Sequence, residues 1–244
     1  MDWPGNNTKM WRARTPVEGN EYADGKWHFL LHDVDTGLRT LDTNVLLRLI
    51  DSNSYTGPPY DGWATLTFRK LLKSDRFLSE FRDRVIYHIN TTYEQEKVMS
   101  TLKQYVDWVR PYQAEQKSRW GLTGSMDFNQ EVGVVTSFLR TRPGTFLRNF
   151  TGPLGFGAHT QLSFRNLQMF SDLTIAFGKE ELKLPWGQSS MDLLFYTGQT
   201  LTITDNSPHL KGFEVRLGRK STYYEGHTLE WKVVSPHVTI VPVY

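Results

Sequence analysis

GPLGFGAH, residues 152–159, crowds three glycines and one proline into eight positions. Apolar spacing changes across it. Ahead of it, apolar residues recur every three or four positions: Phe77, Phe81 and Val85 with Leu78 and Ile89, then Val98, Leu102, Tyr105, Val106 and Val109, then Val132, Val135, Phe138 and Leu139. Behind it they alternate in short runs at 160–164, 173–177, 193–204, 213–217, 228–234 and 238–243, with turn residues such as Asp205-Asn206-Ser207-Pro208 and Glu225-Gly226 between them. The stretch therefore reads as a joint between a helical part and a strand part. The expected class is α+β, with one domain over 1–151 and a second over 152–244, the latter an all-β antiparallel, sandwich-like module.

The helical part has its own punctuation. Ser74-Asp75 supplies a cap ahead of RFLSEFRDRVIYHI. Arg110-Pro111 predicts a stop to the second stripe, and Arg142-Pro143-Gly144 an interruption of the third. Helices with connections this short pack as a mostly antiparallel cluster. Further upstream the texture is different. Strand candidates at 9–13 and 26–34 flank the turn signal Asp24-Gly25, which predicts an antiparallel pair, and TNVLLRLI at 43–50 predicts one short amphipathic helix.

Composition narrows the classes of function. With 244 residues, 39% hydrophobic and 14% aromatic, the chain has material for a sizeable core. A net charge of +2 gives no electrostatic case for nucleic acid. The absence of cysteine excludes disulfides, thiolate metal sites and cysteine nucleophiles. No apolar run reaches the roughly 18 residues of a membrane span.

Two acidic stretches carry the chemistry. Asp2-Trp3-Pro4-Gly5-Asn6-Asn7 sets an Asp and an Asn five positions apart around a Trp-Pro-Gly corner. That is the spacing of the protein-kinase catalytic loop, in which the Asp accepts a hydroxyl proton and the Asn oxygen holds a metal. Pro fixes its own φ and Gly permits a tight reversal, so base and ligand can share one rigid loop. The second stretch, KWHFLLHDVDTG at 26–37, ends a strand-like run in Asp33-Val34-Asp35-Thr36-Gly37. Asp35-Thr36-Gly37 stands where a kinase has its metal-binding Asp-Phe-Gly, and residues two apart on a strand point the same way, so Asp33 and Asp35 both qualify as ligands. His32, beside Asp33, belongs either to the edge of that site or to an ordinary strand.

These stretches, in this order, resemble the CotH kinase family, named for spore coat protein H. The resemblance covers roughly residues 2–150; it is strongest at DWPGNN and HDVD and textural in the helices. It implies a kinase-like helical C-lobe, ATP with Mg2+ (or Mn2+) as cofactors, and protein substrates with Ser/Thr acceptors at a spore coat or cell surface. It implies Asp2 as general base, and Asn7 with Asp35, with or without Asp33, as metal ligands. The family pattern also asks for an N-lobe with a glycine-rich loop and a strand lysine, and only Met1 precedes Asp2. The expectation is a C-terminal portion of a longer polypeptide, with negligible phosphotransfer alone.

Other signals are set beside this one. The seven histidines show no zinc-site spacing, and no Gly-x-Ser-x-Gly elbow occurs. Asn6-Asn7-Thr8, Asn90-Thr91-Thr92 and Asn149-Phe150-Thr151 match the glycosylation triplet. Trp108, Trp120, Trp186 and Trp231 are expected in core or helix–sheet contacts, Trp186 having a second reading as a sugar-stacking platform. Two alternatives to a kinase remain: a non-catalytic coat or surface module, and a metal-dependent glycosyltransferase using the Asp33-Val34-Asp35 pair.

Overall fold

The computed structural model describes residues 9–30, 32, 37–50, 63–121, 127–168, 171–184, 187–234 and 237–244. It is a mixed α+β architecture with several helices and three open sheets. By compactness the chain divides into Met1–Ser74 and Asp75–Tyr244.

In the first unit, β1 (Lys9–Trp11) pairs antiparallel with β2 (His28–Leu30). The pair is joined through the Asp24-Gly25 turn, as the turn signal predicts, with a 3-10 turn at Glu21–Ala23 ahead of it. Of the strand expected over 26–34, residues 31, 33 and 34 lie outside the described residues. α1 (Val45–Ile50) begins behind Asn44, whose Oδ1 accepts a hydrogen bond from the Leu47 N–H at 3.3 Å. It packs on α2 (Trp63–Leu71) with Leu46 and Thr65 buried.

Among the described residues, the second unit opens with α3 (Asp75–Asn90) and α4 (Gln95–Val109), continues with α5 (Gln113–Trp120) and α6 (Phe128–Thr151), and ends in nine strands. Glu94 caps α4 by accepting from the N–H groups of Glu96 and Lys97, and Asp127 caps α6 by accepting from that of Gln130. One of the two prolines acts as its position in the sequence suggests, and the other does not. α4 stops at Val109, directly before Arg110-Pro111 as expected, and Pro111 sits in the first turn of a 3-10 segment, Arg110–Tyr112, that leads into α5. A missing N–H is harmless there, because first-turn N–H groups have no helical partner. Pro143 lies inside α6, which continues unbroken to Thr151. An interior proline costs about 3 kcal/mol. The offset comes from the turn beyond it: Leu147 and Phe150 are buried, and Phe150 stacks edge-on against Phe146 at 4.4 Å and Phe81 at 5.8 Å.

The strands are β3 (His159–Arg165), β4 (Leu173–Phe177), β5 (Glu180–Lys183), β6 (Ser190–Tyr196), β7 (Thr200–Asp205), β8 (Gly212–Leu217), β9 (Lys220–Glu225), β10 (Thr228–Lys232) and β11 (His237–Val243). One sheet has the order β10-β7-β4-β5, the other β6-β3-β11-β8-β9. Period-two burial explains most of them: Leu173, Ile175 and Phe177 of β4 and Leu201 and Ile203 of β7 face inward. The run at 193–204 is two strands, because Gly198 at φ 88° turns the chain between β6 and β7. β5 and β9 were hidden by their polar sequences, EELK and KSTYYE, which suit sheet edges. The expected all-antiparallel pattern also fails at one place. β11 runs parallel to β3, since the intervening strands form a long crossover that returns the chain in the same direction.

A buried carboxylate ties the end of the chain to this core. Asp205, fully buried, accepts from the N–H groups of Ser207 at 2.8 Å and Asp172 at 3.2 Å, and from the Tyr244 hydroxyl at 2.8 Å. Burial pushes the Tyr244 phenol up to about 12, with the Asp205 carboxylate acting in the same direction. Burial also raises Tyr196, whose hydroxyl donates to the Leu147 carbonyl at 2.9 Å. Both phenols ionise near pH 10 once unfolded. The native state therefore holds these protons longer, and stability is complete below pH 10 and falls as pH rises toward 12. Urea titrations from pH 9 to 12 are expected to show that decline, with Tyr244→Phe flattening part of the slope relative to its own value at pH 9.

Candidate functional site

The β1–β2 hairpin positions the residues flanking both acidic stretches. Its turn is built from side chains that bond their own backbone. Asn20 Oδ1 accepts from the Tyr22 N–H at 3.0 Å, starting the 3-10 turn. Asp24 Oδ1 accepts from the Lys26 N–H at 2.8 Å and meets His28 Nε2 at 2.9 Å, while its Oδ2 pairs with Lys26 Nζ at 2.9 Å. The Lys26 ammonium, seconded by the Lys26 N–H, holds the Asp24 carboxyl down at about 2. Gly25 takes φ 78° and lies so close to Pro16 that an added Cβ would sit 2.8 Å from its Cγ. Only glycine suits that position.

Along the ribbon, Trp11 stacks on its register partner His28 with ring centroids 5.1 Å apart. Arg12 lies over the Trp27 ring at 5.2 Å. At the open end of the ribbon, Lys9 is opposite Leu30, and Lys9 Nζ donates to His32 Nε2 at 2.9 Å. His32, expected either at the site edge or in an ordinary strand, is thus tied to β1.

Asp2, Asn7, Asp33 and Asp35 lie outside the described residues, as do Thr36 and Trp186. Among the described residues no group of His, Asp and Glu is arranged to hold a metal ion. Two tryptophans expected in packing contacts are exposed: Trp108 at 68% and Trp120 at 74%. Trp108 lies on α4, which packs on α6, and Trp120 ends α5. Trp231 is half-buried against Tyr224. The triplet at Asn90 begins with a buried side chain whose amide is fully engaged, described below. Sequence reasoning passed over Lys9 and Asp24 as site-framing residues. Asp24-Gly25-Lys26 does carry a signal for its part, since an Asp two residues before an N–H favours this kind of turn.

The family model described as CotH kinase protein matches residues 1–146, more than half of the 244. The chain belongs to the CotH family. No curated protein and no solved structure matches it.

Proposed function

We propose that the protein works as a CotH-type kinase, transferring the γ-phosphoryl group of ATP to serine or threonine hydroxyls of a protein substrate at a coat or cell surface. The observation that carries this reading is the register of the hairpin. Lys9 and Leu30, the described strand residues nearest in sequence to the two acidic stretches, are direct register partners, which supports a shared site for DWPGNN and HDVD. Family membership supports it independently.

In this mechanism Asp2 accepts the proton of the attacking hydroxyl as its oxygen bonds to the γ-phosphorus and the bond to the departing ADP breaks. Asn7 and Asp35, with or without Asp33, would hold Mg2+ (or Mn2+). Carboxylate and amide oxygens are the hard donors such an ion prefers, so this donor set fits. When bound, the ion supplies charge neutralisation at the phosphates. The finer architecture belongs to the same reading: a kinase-like C-lobe over 1–151, followed by a sandwich-like module over 152–244. What supports the latter is Phe177 of one sheet packing edge-on against Phe195 of the other at 5.3 Å.

The test is phosphate incorporation from labelled ATP into a serine-rich acceptor, using the product of the complete reading frame. Asp2→Asn is expected to reduce the rate by about 10²–10⁴-fold, the range for a lost general base. Asp35→Asn is expected to abolish the dependence on Mg2+. Equal incorporation by wild type and both variants, or none by any of them, would leave the non-catalytic scaffold as the better account.

A further inference from the structure

We infer that the outer face of the five-stranded sheet binds a neutral polysaccharide along the row Asp192, Ser163, Thr239, Arg216 and Ser221, with Tyr223 as the stacking ring. This goes beyond the phosphotransfer reading and does not depend on it. Register supplies the row. Ser163 is opposite both Asp192 and Thr239, and Arg216 is opposite both Thr239 and Ser221. One polar side chain from each of β6, β3, β11, β8 and β9 therefore lies in line. Their neighbours along the strands, among them Leu193, Phe164, Ile240 and Val215, are buried and point the other way. Adjacent strands lie about 4.8 Å apart, so the row runs for about 19 Å, a span for a chain of sugars.

Charge selects the occupant. Arg165 Nη1 pairs with Asp192 Oδ1 at 2.7 Å, Arg216 Nη2 pairs with Glu214 Oε2 at 2.5 Å, and the Ser221 hydroxyl donates to Glu214 Oε1. Arg165 holds the Asp192 carboxyl below its usual range, and Arg216 with Ser221 does the same for Glu214. The charges of the row are thus matched in pairs, leaving no field that selects an ion, while fixed donors and acceptors suit hydroxyl groups. The Asp192 and Arg216 side chains remain 48% and 51% exposed, open to a ligand. Tyr223, two residues from Ser221 on the same side of β9, is 52% exposed. Its ring crosses Gly212, where an added Cβ would lie 2.8 Å from Cζ and 2.7 Å from the hydroxyl. The missing side chain lets the ring lie against the sheet and present an apolar face, with a polar tip, to the C–H face of a sugar. A merely solvated face makes no demand for hydroxyls in line or for a glycine beneath a ring.

Affinity electrophoresis of the full chain through gels containing hydroxyethylcellulose, mixed-linkage β-glucan, arabinoxylan, galactomannan or polygalacturonate tests this. At least one of the four neutral polysaccharides is expected to retard the wild type, and the anionic polygalacturonate is not. On the retarding polysaccharide, Tyr223→Ala should weaken binding about tenfold or more, while Tyr223→Phe, which keeps the ring, should retain it. Asp192→Ala, at the other end of the row, should also weaken it about tenfold, the order of a lost charge-assisted hydrogen bond. Trp108→Ala removes an exposed aromatic outside this sheet and should bind as wild type. Urea midpoints near that of the wild type show that each variant is folded. Absence of retardation by all four neutral polysaccharides overturns the proposal, as does retardation by polygalacturonate alone. It falls equally if Tyr223→Ala and Asp192→Ala both migrate as wild type, or if Trp108→Ala loses as much as they do.

Discussion

Replacing Asn90 by leucine is expected to destabilise the protein by about 2–4 kcal/mol, read as a lower urea midpoint with an unchanged m-value. Asn90 closes α3, is 7% exposed and has no freedom to turn away. Its Nδ2 donates to the Leu194 carbonyl at 2.8 Å and to the Ile86 carbonyl at 3.0 Å, and its Oδ1 accepts from the Leu194 N–H at 2.9 Å. β6 is the edge of the five-stranded sheet, paired with β3 on one side only. The Asn90 amide therefore stands in for the next strand, satisfying one donor and one acceptor of that edge. Leucine keeps the branching at Cγ and supplies neither group, leaving both Leu194 backbone groups unpaired under α3. Thr91→Ala is the control. The Thr91 hydroxyl donates to the Tyr87 carbonyl of the preceding helix, four residues back, at 2.7 Å, and its loss should change stability by a few tenths of a kcal/mol. The same geometry closes the Asn90-Thr91-Thr92 triplet to glycan attachment, since both amide hydrogens are engaged in the folded chain.

A comparable loss, about 3 kcal/mol, is expected for Gly178→Ala, from backbone strain and overpacking together. Gly178 is the first of two residues linking β4 to β5, with φ 57°, and Phe177 pairs with Glu180 across the turn. Positive φ at the first central position alone is the pattern of a type II′ hairpin, which takes glycine there. An added Cβ would also meet Asp83 Oδ2 at 2.3 Å. That carboxylate cannot step aside: its Oδ1 is held by Gln199 Nε2 at 2.9 Å and Arg82 Nε at 3.0 Å, and Asp83 is 5% exposed. For a domain of this size the melting temperature should fall by roughly 6–12 °C. Gly198→Ala separates the two causes. Gly198 shares the positive φ, 88°, with nothing within 4 Å of the added Cβ, so only the strain of about 1 kcal/mol should be seen.

These two predictions concern contacts that make α3 inseparable from the strands. Asn90 and Asp83 on α3, together with Leu147 on α6, are joined by hydrogen bonds to Leu194, Gln199 and Tyr196. The division by compactness accordingly falls at Ser74, while the change from helix to strand falls after Thr151. The two boundaries answer different questions. Local spacing marks where the period changes, and side-chain hydrogen bonds mark what folds as one body.

Strands such as β4 and β8 were legible because one face is buried and the other wet, which prints the period of two into the residues. β9 was not, since an exposed edge places no demand on its side chains, and β6 and β7 merged because their apolar residues run on either side of Gly198. Pro143 misled for a similar reason: its local penalty is visible in the residue, while the buried aromatic cluster around Phe150 that outweighs it is assembled from distant positions.

Family, the order of helical and strand segments, and the residue types proposed for catalysis follow from local order, because spacing and short motifs are properties of neighbours along the chain. The register that makes Lys9 the partner of Leu30, the parallel return of β11 beside β3, and the use of Asn90 as a strand substitute arise only in the folded chain. Each joins residues far apart in sequence, and long-range hydrogen bonding and packing select among arrangements that local preference leaves nearly equal in energy.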